Sequence, residues 1–296
     1  MIRRALASLL QIVAISAIAF FLFSVAPGDF YSAERLSPQL HGRSIEQWRA
    51  ARGLDRPWPV RYARWIESCA RGDFGTSLAY GIPVTRLVAP RVVRSAVILF
   101  PAWIFGWIVA VCTAAWAARR RDRMLEPAMT ILNMSPEVIV VSVLLWIGVA
   151  LRIPLERAWL PSMGLILAIA PLVFIHAFRA VSEAQSANFV RIAASRGIAS
   201  RRLWIRFILP AAANPLISLI GPSLAAAIGS SLVIEAMSGW PGLGPLFLEA
   251  VQSRDYDVVQ AVVVMLGAVL TFTNLAADLI LYRLDPRIHL NTDGAH

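Results

Sequence analysis

Residues 97–118 read VILFPAWIFGWIVAVCTAAWAA, twenty-two positions without one Asp, Glu, Lys or Arg. As an α-helix this stretch is about 33 Å long at 1.5 Å per residue. That is enough to cross the roughly 30 Å hydrocarbon core of a bilayer. Lipid offers no partner to a backbone N–H or C=O, so a segment of this kind satisfies its own hydrogen bonds as a helix. A transmembrane barrel would show short alternating segments instead.

Working outward, five further apolar runs repeat the signal: Leu6–Ala26, Val138–Leu151, Leu160–Val181, Leu216–Met237 and Val258–Leu281. Spans are expected at about 6–27, 93–117, 128–151, 160–181, 214–238 and 257–282. The composition agrees. Hydrophobic residues make up 58% and charged residues 16% of the 296 positions, against about 45–50% and about 25% in soluble domains. The expected fold class is an all-α membrane protein of about six transmembrane helices. Arg3 and Arg4 before the first run invite a signal-peptide reading. The run is longer than the usual h-region of about 7–15 residues, and no A-x-A-like site precedes a soluble domain. An uncleaved first helix is expected. Cys112 lies inside an apolar run, where it is expected to be a small packing residue. Cys69 is expected outside, so no disulfide and no metal site follow.

The net charge is +10, and all 28 basic residues are arginine. No helix-turn-helix pattern or aromatic-basic platform accompanies them, so nucleic-acid binding is not expected. The arginines sit between apolar runs and set orientation. With the N-terminus inside, cytoplasmic segments hold fourteen of them, among them Arg119, Arg120, Arg121, Arg123, Arg179 and Arg206. The short outer loops hold only Arg152, Arg157 and Arg254. Both termini are therefore expected in the cytoplasm. The stretch from Gly28 to Arg94 carries eleven arginines yet falls outside. Its length, a little over 60 residues, is where the positive-inside rule loses force. It is expected to form a small outer subdomain with short amphipathic helices around Ile45–Arg52 and Val60–Ala70.

The connection from Val181 to Ala213 is the other long one. It reads as a helix over Glu183–Ser195, a break at Gly197, and a short helix over Ser200–Ile208 that Pro210 stops. Arg201, Arg202 and Arg206 line the polar side of the short helix, opposite Leu203, Ile205 and Leu209. Such a helix lies on the membrane surface, held by lipid phosphates, or docks on a partner.

Phe189-Val190-Arg191-Ile192-Ala193-Ala194-Ser195-Arg196-Gly197-Ile198, followed by Leu209-Pro210, resembles the EAA loop of ABC importer permeases, in the version found among peptide permeases. Further blocks fall in family order: Ala26-Pro27-Gly28-Asp29, Gly53-Leu54-Asp55-Arg56-Pro57, Gly72-Asp73-Phe74-Gly75-Thr76-Ser77, Gly239-Trp240-Pro241-Gly242-Leu243-Gly244 and Arg254-Asp255-Tyr256. Asn274 and Asp278 precede Asp285-Pro286-Arg287 in the last block. The chain thus resembles the first permease of the dipeptide, oligopeptide and nickel importers along nearly its whole length. It departs from their pattern at Ala194 and Phe207, where the family carries basic residues, and in a shorter stretch between spans three and four.

The resemblance implies a type I ABC importer permease fold with an extra outer loop subdomain. The parts would be a first helix over 1–27, a periplasmic loop subdomain over 28–92, and a core permease domain over 93–290 with a coupling loop at 182–213. It assigns Arg191, Ala193, Arg196, Gly197, Ile198, Arg201, Arg202, Leu209 and Pro210 to an ATPase interface. The implied partners are a second permease subunit, two ATP-binding subunits, a periplasmic solute-binding protein and membrane lipid. The implied location is the bacterial inner membrane. The implied cargo is peptides or similar small solutes, with nickel or another metal chelate as the alternative.

Glu235 and Trp240 stand near the outer end of their span. An ionised residue there is costly unless solvated or paired, so Glu235 either lines a pathway or gate or caps the following turn, and Trp240 is a further pathway or gate candidate. Asn274 and Asp278 are i, i+4 neighbours; they either join helices or touch solute. Glu137 after Pro136 is expected to cap a Pro-initiated helix.

With no lysine, the G-x-x-x-x-G-K-[ST] nucleotide loop cannot occur, and no H-E-x-x-H motif is present. No cofactor is expected on this chain; ATP and Mg belong to the partner subunits. Ser230, Ser231 and His176 lack the G-x-S-x-G context of a serine hydrolase. A proton-coupled carrier would want acids near the midplane, whereas most acids here lie near span ends.

Overall fold

The structure is a computed structural model, described over residues 2–25, 57–120, 122, 124–153 and 158–284, with side chains described at 7, 10–25 and from 57 to 276 within those ranges. The blocks at Ala26–Asp29 and Asp285–Arg287, most of Gly53–Pro57, the expected helix at Ile45–Arg52 and the side chain of Asp278 lie outside the described residues. Among those described there is no strand, only an antiparallel bridge between Thr76 and Pro83.

The first run forms α1, Ile2–Val25. A short amphipathic helix α2 follows at Trp58–Ala70, close to the expected position. α3 runs from Val84 to Arg120 and contains the uncharged stretch 97–118. It is nine residues longer at its start than the expected span, because Val84–Val92 continues the helix beyond the apolar window.

The third expected span is not one rod. It is α4, Leu125–Met134, and α5, Glu137–Ala150, bent by 99° at the break. Pro136 is the cause. It disfavours the helical backbone at Ser135, which takes φ −74° and ψ 129°, and it pre-organises the first turn of the next helix.

α6 covers Trp159–Ser186 and α7 covers Asn188–Ser195. The helix expected at Glu183–Ser195 is therefore interrupted at Ala187, which is extended at ψ 141°. α8, Ser200–Leu203, leads through a π-turn at Trp204–Ile208 into α9, Leu209–Ser238. α10, Leu243–Gln252, and α11, Tyr256–Leu284, complete the order.

Among the described residues, four helical stretches are long and apolar enough to span a membrane: Val84–Arg120, Trp159–Ser186, Ser200–Ser238 and Tyr256–Ala276. The bent α4–α5 pair makes a fifth if it counts as one span. α1 adds a further apolar helix over Leu10–Val25.

The chain divides into two compact units, Met1–Ser95 with Pro241–Thr271, and Ala96–Trp240 with Phe272–His296. In the first, α2 lies along the second half of α1. Phe20 meets Tyr62 edge-on at 5.5 Å and Phe21 meets Trp58 at 5.4 Å. The Tyr62 hydroxyl donates to the carbonyl of Val13, and Gln260 Nε2 donates to the carbonyl of Ser16 at 2.7 Å. In the second unit, α9 packs chiefly on α6, and α6 also carries α4 and α5. Phe174, Leu165, Ile169 and Ile234 are buried there. Gly164 faces Ile234 and Val141 so closely that a Cβ would sit 3.2 Å from the Ile234 side chain.

Candidate functional site

The segment from Asn188 to Pro210 folds back on α6. α7 is amphipathic. Val190 and Ala193 are buried, whereas Phe189, Ile192 and Arg191 are exposed. α7 ends at Ser195, with Arg196 as its cap, after which Gly197 takes φ +76° and donates its N–H to the carbonyl of Ala194. A residue with a Cβ rarely adopts that left-handed conformation, and this is the usual way to end a helix and turn the chain. A Cβ at Gly197 would meet nothing within 4 Å, so backbone conformation alone asks for glycine here.

Beyond the turn, Arg196, Gly197, Ile198, Ala199, Arg201, Arg202, Ile205 and Arg206 line a hollow of about 870 Å³. Arg191, Arg196, Arg201, Arg202 and Arg206 are all exposed. The ion pairs shown among the described residues are Arg71–Glu67 and Arg179–Glu126, and none of these five arginines is in them. Of the residues assigned to the interface from sequence, only Ala193 is buried; Leu209 and Pro210 are exposed and Ile198 is partly so.

One expectation fails. Pro210 does not end a separate helix. The Leu209 N–H donates to the carbonyl of Trp204, a π-type bond, and the helix continues to Ser238. Proline has no N–H and its ring clashes with the carbonyl four residues back. One wide turn before it absorbs that conflict without breaking the helix. The arginine-bearing turn is thus continuous with α9.

The other candidates lie elsewhere. Glu235 is wholly buried. Its carbonyl accepts from the N–H groups of Gly239, which has φ +69°, and of Trp240. Its backbone carbonyl thus closes the end of α9. Trp240 is half-buried at this turn. The turn then opens α10, where the N–H of Leu243 donates to Ser95 Oγ at 2.8 Å. Asn274 packs against α9. A Cβ at Gly221 would come within 2.0 Å of Asn274 Oδ1 and 3.1 Å of its Cγ, so the glycine admits the close approach of the two helices. Glu137 is the first residue of α5, but no side-chain capping bond is seen at that helix start; its Oε1 accepts from Ser230 Oγ at 2.9 Å instead.

Several polar nodes escaped the sequence reading. Trp103 and Trp107 both donate their Nε1–H to Ser223 Oγ, at 3.2 and 3.0 Å. Their i, i+4 spacing was the available signal. Ser77 Oγ donates to Asp255 Oδ2, and the N–H of Ala79 donates to the same oxygen at 3.1 Å. The two residues stand in separate sequence blocks, Gly72–Ser77 and Arg254–Tyr256, with nothing in either to pair them.

The family model for binding-protein-dependent transport system inner membrane components matches residues 86–290, and the model for the N-terminal part of such components matches residues 1–81. Among curated proteins, a putative peptide permease protein of Brucella suis is 28% identical, aligned over 97% of this chain and 98% of the relative. The oligopeptide transport system permease protein OppB of Mycobacterium tuberculosis is 29% identical over 98% of both chains. AppB, an oligopeptide transport system permease protein of Bacillus subtilis, is 26% identical over 97% of this chain and 98% of the relative. Among solved structures, a chain of the MetNI methionine ABC transporter in inward-facing form aligns with TM-score 0.53 and 17% identity, covering 68% of this chain and 97% of that one. That likeness concerns the fold.

Proposed function

This chain belongs to the family of binding-protein-dependent transport system inner membrane components, and on that premise we propose that it carries peptides inward, driven by ATP hydrolysed on separate subunits. The observation that carries this reading is the exposed segment from Arg191 to Pro210. It is turned by Gly197 and continues without a break into a span. Such a segment can pass a push into the membrane as a stiff lever.

The partners in this reading are a second permease subunit, two ATP-binding subunits and a periplasmic solute-binding protein. ATP and Mg reside on the ATP-binding subunits. Both termini face the cytoplasm, with the coupling segment on the same side. The peptide cargo is supported by the peptide and oligopeptide permeases among the relatives; a metal chelate is the alternative within the same family. Glu235 and Trp240 shape the turn after α9, and Asn274 joins helices beside Gly221. Asp278 remains a candidate for the pathway.

The test is uptake into proteoliposomes holding the full assembly. Peptide accumulation that requires ATP on the ATPase side and the solute-binding protein on the other supports the reading. Accumulation driven by an imposed proton gradient without ATP overturns it.

A further inference from the structure

We infer that the surface receiving this segment is an acidic protein groove with an apolar floor, so that charge sets how the chain docks on its ATP-binding partner. This rests on the coupling role proposed above and adds the chemistry of the partner.

Arg196, Arg201, Arg202 and Arg206 line the hollow together with Ile198 and Ile205. All four are exposed, with no acidic residue in the lining. Like charges held this close repel one another unless counter-charge comes from outside. Arginine presents a planar fork that matches a carboxylate in two parallel hydrogen bonds. Ile205 stands among them, 58% exposed, and gives the occupant an apolar contact.

Anionic lipid could supply the same charge, but the length of the helix argues for protein. The helix from Ser200 to Ser238 has 39 residues, about 58 Å along its contour. A bilayer with its headgroups is about 40–45 Å thick, and a mean tilt of about 20° shortens the helix by only a few Å. Positions 207–234 of this helix carry no charged residue, so the uncharged part fills the bilayer and the surplus length carries the arginine end outward, past the headgroups.

The test measures how tightly the ATP-binding subunits hold the purified permease complex in nanodiscs. In zwitterionic phosphatidylcholine, raising salt from about 0.1 M to about 0.5 M shortens the screening length and should weaken retention about tenfold or more. The variant Arg201→Glu with Arg202→Glu should lose retention at both salts, while Arg201→Lys with Arg202→Lys keeps much of it. Replacing groove carboxylates of the ATP-binding subunit by Arg should restore retention to the Glu variant. Retention indifferent to salt and to charge reversal overturns the acidic groove and leaves the coupling role standing. Effects seen only when the discs contain phosphatidylglycerol assign the arginines to lipid and also overturn the inference. If the wild-type assembly holds no ATP-binding subunit at any salt, the coupling role itself fails.

Discussion

Asp255 and Ser77 stand 178 positions apart in the chain, yet the Ser77 hydroxyl donates to Asp255 Oδ2 at 2.5 Å. The same carboxylate oxygen accepts from the N–H of Ala79. Asp255 is 1% exposed and sits in the turn between α10 and α11. It thereby ties the turn over residues 74–83 to the start of the last long helix. A hydrogen bond to a charged group is worth about 1.5–3 kcal/mol. Ser77→Ala should loosen this turn, and amide exchange at Val84, whose N–H bonds to the carbonyl of Gly75, should quicken. Exchange identical to wild type would contradict the tie.

Gly197 supports a graded series. Its φ of +76° costs a residue with a Cβ about 1–2 kcal/mol, and open space around it rules out a clash. Gly197→Val should depress uptake while membrane insertion is unchanged. Gly197→Asn should retain more uptake, because Asn tolerates the left-handed region. Equal loss in both variants would show that conformation is not what matters there.

Gly221 and Asn274 should behave as a coupled pair. Gly221→Ala forces the Asn274 side chain to move, and overpacking of this kind costs about 1–3 kcal/mol. Combining it with Asn274→Ala should recover part of the lost thermal stability in detergent. Strict additivity of the two changes would refute the contact.

Cys69 should be an unreactive thiol. Burial raises its pKa first, and the Asp257 and Asp73 carboxylates add to this, pushing it from 9.0 up to about 12. Since the thiolate is the reacting form, maleimide labelling at pH 8 should be slow, and Asp257→Asn should speed it. The sign for stability follows. Below pH 9 the thiol is protonated both folded and unfolded, whereas between about 9 and 12 only the unfolded chain releases its proton. Stability from this group therefore falls as pH rises through that window. Labelling as fast as that of a small free thiol would contradict the burial.

Most of the helices were legible, because a spanning run announces itself through length and the lack of charge. Residues 97–118 needed no other information. Gly197 was legible for a similar reason, as a breaker between two amphipathic stretches. What was not legible depended on neighbours or on small backbone adjustments. Pro136 bends its span by 99°, yet Pro210 passes in a continuous helix, and the difference lies in a π-turn that no periodicity signals. The Ser77–Asp255 tie and the paired indoles on Ser223 join residues far apart in the chain. Their residue types alone do not name their partners.

The central claim is that ATP-driven force enters through the segment around Gly197. Ala199 is exposed and lines its hollow. With Cys69 and Cys112 replaced by Ser, an Ala199→Cys variant in the assembled transporter should form a bifunctional cross-link to an ATP-binding subunit, with a yield that differs between nucleotide-free and ATP-trapped states. A thiol at 199 that reacts freely with solvent reagents and yields no adduct with an ATP-binding subunit in either state would contradict the account.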